Sequence, residues 1–247
     1  MEITRTLITR IFVDSTLEAG GTLRLPESEG RHVLKVLRGR SGDTLEVVDA
    51  DRRLFLAELG AGDEASILEV LEGPEDEGIG ISLYQAVPKG GRMDLVVEKA
   101  TEVGATRIVP LLTARGIVRP RDAKVGRWRR VAEAAARQAL RLGVPEVAEP
   151  MDFSEAVREA GANGVLLHNA LDLEPLEAVV PVPASLFVGP EGGWSEGELR
   201  VAEEPELALA QLGPYRLRSE TAGMVAVARA RVALERSVRE RSVRKLG

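Results

Sequence analysis

The sequence contains no cysteine, which excludes disulfides, thiolate metal sites and cysteine nucleophiles. Its two histidines, His32 and His168, are too few for a histidine-rich metal centre, and no metal is expected. No apolar run reaches the roughly 18 residues of a membrane span. Met1-Glu2-Ile3-Thr4-Arg5-Thr6 lacks the apolar core of a signal peptide. A cytoplasmic protein with no membrane partner is therefore expected. Lysine is scarce: of 33 basic residues only Lys35, Lys89, Lys99, Lys124 and Lys245 are lysine. No Gly-x-x-x-x-Gly-Lys-Ser/Thr phosphate loop and no Gly-x-Ser-x-Gly nucleophile elbow occurs. The net charge of −6 argues against nucleic acid as a whole, yet charge distribution matters more than its total.

The 247 residues suffice for one large domain or two smaller ones. The most informative stretch is Leu186-Phe187-Val188-Gly189-Pro190-Glu191-Gly192-Gly193-Trp194-Ser195. Three apolar residues, a glycine loop and a helix start follow one another, with Ser195 as N-cap and Glu198 as its capping-box partner. Such a unit offers bare backbone N–H groups at a strand end, where small ligands bind in α/β sheets. A second glycine-marked segment runs from Leu212-Gly213 to Ser219-Glu220-Thr221-Ala222 and also leads into a helix. Two such loops predict a shared pocket.

Residues 1–72 read as β-rich, with short runs at 10–13, 22–25, 44–48 and 53–59, and one helix over Ser28–Leu37. This is the pattern of a small barrel with one helix. On that helix Val33, Leu34 and Leu37 form an apolar face, and Arg31, His32, Lys35, Arg38 and Arg40 a basic remainder. A solvated face and a phosphate-contacting face both fit. Residues 73–78, Gly-Pro-Glu-Asp-Glu-Gly, are the expected linker. After it strands and helices alternate, which predicts a mostly parallel sheet covered on both faces. A helix is predicted over Met93–Val103, stopped by Gly104, and a strand over Ile108–Leu112 whose pairing Pro110 limits. A long helix over Val125–Leu142 would gather Arg127, Arg130, Arg137 and Arg141 into one stripe beside Gln138. Four like charges repel unless an anion lies across them, so phosphate or RNA contact is predicted there, against an idle surface. A last helix begins near Ala222. His168, at a strand end, reads as a hydrogen-bonded histidine more readily than as a general base.

Here the sequence resembles a known family. The segments Val188–Ser195 and Leu212–Ala222 resemble the cofactor region of the SPOUT methyltransferases. Arg31–Arg38, Lys89-Gly90-Gly91-Arg92-Met93-Asp94 with Lys99–Gly104, and Arg127-Trp128 with Gln138, Arg141 and Val144-Pro145 resemble the RsmE branch. The likeness covers nearly the whole chain in order. It departs from the family pattern in Trp194, where many members carry Phe, and in Ser219, where many carry Thr.

The resemblance implies an α/β protein with a small N-terminal PUA-like β-barrel (1–72) and a SPOUT domain (79–247) holding a deep trefoil knot. It also implies a homodimer and transfer of a methyl group from S-adenosylmethionine to uridine N3 in small-subunit ribosomal RNA, met as an assembled subunit. It places the cofactor among three loops, through Leu167, His168, Asn169; Val188, Gly189, Pro190, Gly192, Gly193; and Leu212, Gly213, Leu217, Ser219, Thr221. Arg218 is then the candidate for stabilising charge on the uracil, or else a salt-bridge partner of Glu191 or Glu220. Either glutamate is a candidate proton acceptor, or only a loop brace. Lys89 and Arg92 join the arginine stripe and the first helix as RNA contacts. A non-catalytic RNA-binding or assembly factor, and a methyltransferase acting on a ribose 2′-oxygen or another base, are the alternatives.

Overall fold

The structure is a computed structural model that describes residues 6–73, 79–116, 119–120, 122–170, 172–204 and 206–246. Residues 74–78 of the expected linker lie outside the described residues. The fold is mixed α/β with two sheets, and the chain divides into two compact units: Met1–Asp76 with Ala136–Gly143, and Glu77–Ala135 with Val144–Gly247.

The first unit contains β1 (Thr6–Phe12), β2 (Thr22–Arg24), α1 (Glu27–Arg31), a π-helical turn (His32–Val36), β3 (Thr44–Val48), β4 (Leu54–Leu59) and β5 (Glu64–Leu71). The sheet order is β1-β3-β4-β5-β2, with β1 parallel to β3 and the other pairs antiparallel. Ile11, Val33, Leu45, Val47, Phe55, Leu59 and Ile67 fill its core. The single helix expected over Ser28–Leu37 widens into the π turn, where Leu37 N–H reaches His32 O (3.0 Å). Gly39 follows because a Cβ there would lie 2.8 Å from Leu59 Cδ1.

Strand β5 was not legible in the sequence. A bulge breaks its register between Leu56/Glu69 and Ala57/Ile67, leaving Leu68 and Val70 exposed where strict alternation would bury one face.

The second unit is wholly parallel in its pairing. It contains β6 (Ile81–Ala86), α2 (Met93–Glu102), β7 (Arg107–Leu112), α3 (Asp122–Gln138), β8 (Glu146–Val147), β9 (Met151–Asp152), α4 (Phe153–Ala160) and β10 (Gly164–Leu167). Then come α5 (Leu176–Val179), β11 (Ala184–Val188), α6 (Glu196–Glu203), β12 (Ala208–Ala210) and α7 (Ser219–Leu246). The order is β12-β10-β11-β6-β7-β8, with β9 also on β7. Core residues Ile81, Leu83, Val96, Val97, Trp128, Leu186 and Val227 pack on one side; Tyr84, Phe153, Phe187 and Trp194 pack on the other. Tyr84 and Phe187 stack at 4.5 Å.

Pro110 sits inside β7 without breaking the sheet. Its neighbour strand is interrupted there, since β8 pairs with Arg107 and Ile108 while β9 pairs with Leu111 and Leu112. The missing N–H therefore costs no ladder bond. Two helix boundaries differ from the sequence expectation. Helix α3 stops at Gln138 because Leu140 takes a left-handed φ of +52°. Helix α7 starts at Ser219, so Ser219, Glu220 and Thr221 are helical rather than loop residues.

Candidate active site

The parallel strands β10, β11 and β12 end on the same side of the sheet, and three loops leave from those ends. Together they enclose a cavity of about 570 Å³. Its walls include Leu167, His168, Asn169, Val188, Gly189, Pro190, Gly193, Leu212, Gly213, Leu217 and Ser219, all singled out from the sequence. Gly192 and Thr221 do not line it. The Gly192 carbonyl instead accepts from Arg115 Nη1 (2.9 Å), and Thr221 lies in the first turn of α7. Trp194, Pro214, Tyr215, Arg216 and Ala222 also line the cavity; they belong to the two glycine-marked segments but were not named as individual cofactor contacts.

Specific hydrogen bonds set the loops. Buried Trp194 donates from Nε1 to Leu167 O (2.9 Å), tying the first glycine loop to the end of β10. Gly189 is required beside it, because a Cβ would meet the indole at 3.0 Å. Ser195 and Glu198 form the expected capping box at the start of α6, and Glu198 Oε1 also accepts from Ala114 N (2.8 Å).

A second tie joins three elements. Gln85 of β6, fully buried, donates from Nε2 to Ser219 Oγ (2.9 Å), and Ser219 Oγ donates to Gly189 O (2.7 Å). A carbonyl only accepts, so the serine proton points at Gly189 and its lone pair at the glutamine. The hydroxyl of Ser219 thus locks the two glycine loops together. Gln85 is an amide side chain in the apolar-rich strand Ile81–Ala86, a signal that could have revealed it in the sequence.

His168 Nδ1 accepts from Ala170 N (3.1 Å), which leaves the ring proton on Nε2 and occupies the lone pair a base would use. Arg218 is exposed on the cavity wall, with neither Glu191 nor Glu220 within ion-pair distance. Glu191 lines the cavity, and its Oε1 accepts from Lys89 N (3.4 Å). Glu220 is outside it, 6% exposed and paired with Arg92 at 3.3 Å. Glu220 therefore meets Arg92 and is not part of the cavity wall.

Residues 75–231 match the RNA methyltransferase domain family. The ribosomal RNA small subunit methyltransferase E of Synechocystis sp. is 32% identical over 224 residues, covering 87% of this chain and 74% of that relative. The protein of the same name from Mycobacterium bovis is 33% identical over 237 residues, covering 87% and 88%. The crystal structure of the Neisseria gonorrhoeae enzyme of that name, bound to S-adenosyl methionine, superposes with a TM-score of 0.80 at 31% identity, covering 89% of this chain and 95% of that one. The chain belongs to the RNA methyltransferase family. Within it, the similarity is to the small subunit methyltransferase E branch.

The basic residues of this methyltransferase differ in their surroundings. Arg127 pairs with Asp94 (2.5 Å), and Arg130 is exposed with no acidic partner among the described residues. Arg137 turns inward onto Glu29, with side-chain exposures of 15% and 3%. Gln138 is exposed at the last position of α3, and Arg141 lies past its end, half-buried. The expected four-arginine stripe is therefore broken by the end of the helix and by two carboxylates. In the first unit Lys35 and Arg38 are exposed, Arg31 pairs with Glu27 (2.7 Å), and burial with the Arg137 charge pushes the His32 imidazole below its ordinary value. Lys89 is exposed.

Gly223 tests the inter-loop tie. A Cβ there would stand 2.2 Å from Gln85 Oε1. Alanine gains about 1 kcal/mol of helix propensity, but overpacking a fixed core side chain costs roughly 1–3 kcal/mol. Gly223→Ala is expected to lower stability in urea unfolding and to weaken ligand binding in the cavity. Gly126→Ala in α3, whose nearest neighbour would be Arg130 Nη1 at 3.9 Å, is expected to stabilise. Equal stabilisation by both substitutions would show that the glutamine contact does not hold the loops.

Proposed function

We propose that the enzyme transfers a methyl group from S-adenosylmethionine to N3 of a uridine in small-subunit ribosomal RNA. The observation that carries this reading is the three-loop cavity, with an exposed arginine on its wall that has no ion-pair partner among the described residues, in a chain of this family. The cavity lies within the range of roughly 300–1,000 Å³ usual for small-molecule sites. Its backbone-rich walls suit a nucleoside: the strand-end segment 167–169, the loop 188–193 and the segment 212–219, entered by Gly213 at φ +115°.

When bound, S-adenosylmethionine supplies an activated methyl group on a sulfonium. The chain must hold the uracil in line with that methyl and lower the cost of losing the N3 proton. The apolar side chains of Val188, Leu212 and Leu217 keep water away. Arg218 offers a guanidinium to the negative charge that spreads over the uracil carbonyls. Glu191, whose Oε1 accepts from Lys89 N–H at the cavity wall, is read as the acceptor of the proton, and that position supports the reading.

The finer architecture belongs to the same proposal. The first unit is read as a PUA-like barrel that holds RNA, joined through residues 73–78 to the methyltransferase domain. Exposed Lys35 and Arg38 support that role. A trefoil knot is supported by the path of the chain: β12 lies at one edge beside β10, yet the next segment returns to place Ser219 against Gly189 and α7 beneath β6 and β11. Exposed Leu95 on α2 and Val232 on α7 support a homodimer. The proposed substrate is the assembled subunit, and the proposed site of action is the cytoplasm, where that RNA is met.

The deciding experiment is methyl transfer. Purified protein, labelled cofactor and small subunits lacking the modification are incubated, and the RNA is digested to nucleosides. Label in N3-methyluridine is expected. Label in another nucleoside, or on a ribose oxygen, would keep the enzyme and overturn the acceptor. If calorimetry shows no heat with S-adenosylmethionine and no label appears, a non-catalytic RNA-binding factor is the better account.

A further inference from the structure

The chain has eight aromatic side chains, and seven of them are buried or half-buried. Tyr215 is the exception, at 82% exposure. Water contact over a whole aromatic ring is unfavourable, so its position calls for a reason. The ring belongs to the cavity wall, at the tip of the loop that leaves β12. That loop is stiff where it carries the ring. Gly213, at φ +115°, donates its N–H to Gln211 Oε1 (2.5 Å), and Pro214 fixes the next φ. Arg216, the next residue, is anchored by Nη2 to Glu191 O (3.2 Å). Arg218 stands exposed two residues further on. An open aromatic face is thus held at a cavity mouth between a proline and two cations. This is the equipment for an unpaired nucleobase: a ring for its π-face, with cationic groups beside it.

We propose that Tyr215 is the platform on which the RNA base stacks as it enters the cavity. The proposal rests on the reading of this cavity as the methyl-transfer site. A base held in structured RNA must be turned out to reach such a pocket, losing its stacking neighbours. Tyr215 replaces one of them. The residue binds substrate and takes no part in moving the proton, so its loss acts on RNA affinity and leaves cofactor affinity alone.

The test uses the full chain with unmodified small subunits as substrate. Tyr215→Ala is expected to raise KM for the subunit about tenfold, the ordinary consequence of losing one base–aromatic stack. The dissociation constant for S-adenosylmethionine should stay at the wild-type value. Tyr215→Phe keeps the ring and should restore KM, since no hydrogen bond of the hydroxyl is needed. In Tyr215→Trp, a short uridine oligonucleotide should quench the new fluorescence; Trp128 and Trp194 are buried, and the wild type supplies their background. Unchanged KM in Tyr215→Ala would overturn the proposal. So would a matching loss of cofactor affinity, which would make the ring a cover for the cofactor. If the wild type methylates nothing, the functional reading fails by itself, and oligonucleotide quenching of Tyr215→Trp still decides whether a base stacks there.

Discussion

Replacing Arg218 with alanine is expected to lower kcat for methyl transfer by about 10²–10³, the usual effect of removing a donor that meets developing charge. The side chain is exposed on the cavity wall, and no carboxylate of Glu191 or Glu220 neutralises it. Its charge is therefore available to a ligand. Loss of the N3 proton leaves an anion shared by two carbonyl oxygens, and a planar guanidinium can donate to one of them while N3 stays open to the methyl group. Lysine keeps the charge but not the fork, so Arg218→Lys should recover only part of the rate. Stability should hardly change, because an exposed side chain without ion-pair partners contributes little to it. The measurement is single-turnover transfer at saturating cofactor and RNA. A wild-type rate in Arg218→Ala would make Arg218 a surface cation, and a defect confined to KM for RNA would make it a phosphate contact.

Arg137→Ala is expected to destabilise the first unit by roughly 3–5 kcal/mol, the cost of removing one member of a buried ion pair. Glu29 is almost wholly buried and faces Arg137, whose own side chain is 15% exposed. Neither can be moved to water without opening the unit. Removing the arginine takes the facing cation from the buried carboxylate, whereas replacing both residues removes that buried charge as well. Glu29→Met with Arg137→Met should therefore recover most of the lost stability. Arg130→Ala is the comparison, since an exposed arginine without an acidic partner should fall within about 0.5 kcal/mol of wild type. Urea unfolding of the four proteins gives the answer. If Arg137→Ala is as stable as Arg130→Ala but binds small subunits more weakly, Arg137 is an RNA contact after all.

These two arginines show where sequence reading succeeds and where it stops. Arg218 follows a glycine-marked loop, and local chemistry places it at a pocket. Arg137 looked like one of four cations at helical spacing, and local chemistry gave no hint of Glu29, 108 residues earlier. The same division runs through the site. The partners of the capping box, Ser195 and Glu198, stand three positions apart, and it was legible because both belong to one turn. The tie from Gln85 through Ser219 to Gly189 joins residues 134 and 30 positions apart, so no window of sequence contains it. Glu191 and Glu220 were equivalent as letters. Packing separated them by setting one on the cavity wall and the other against Arg92.

The sequence by itself determined the β-rich first part, the strand–helix alternation after residue 78, and the glycine loops that end in helix starts. Hydrophobic period, capping chemistry and backbone freedom act within a few residues, and they are written where they act. Tertiary structure alone decided the bulge that hides β5, the stop of α3 at Gln138, the burial of Arg137 and the exposure of Tyr215. Each depends on what a residue meets across the fold, and that is settled only when distant segments compete for the same space and the same hydrogen-bond partners.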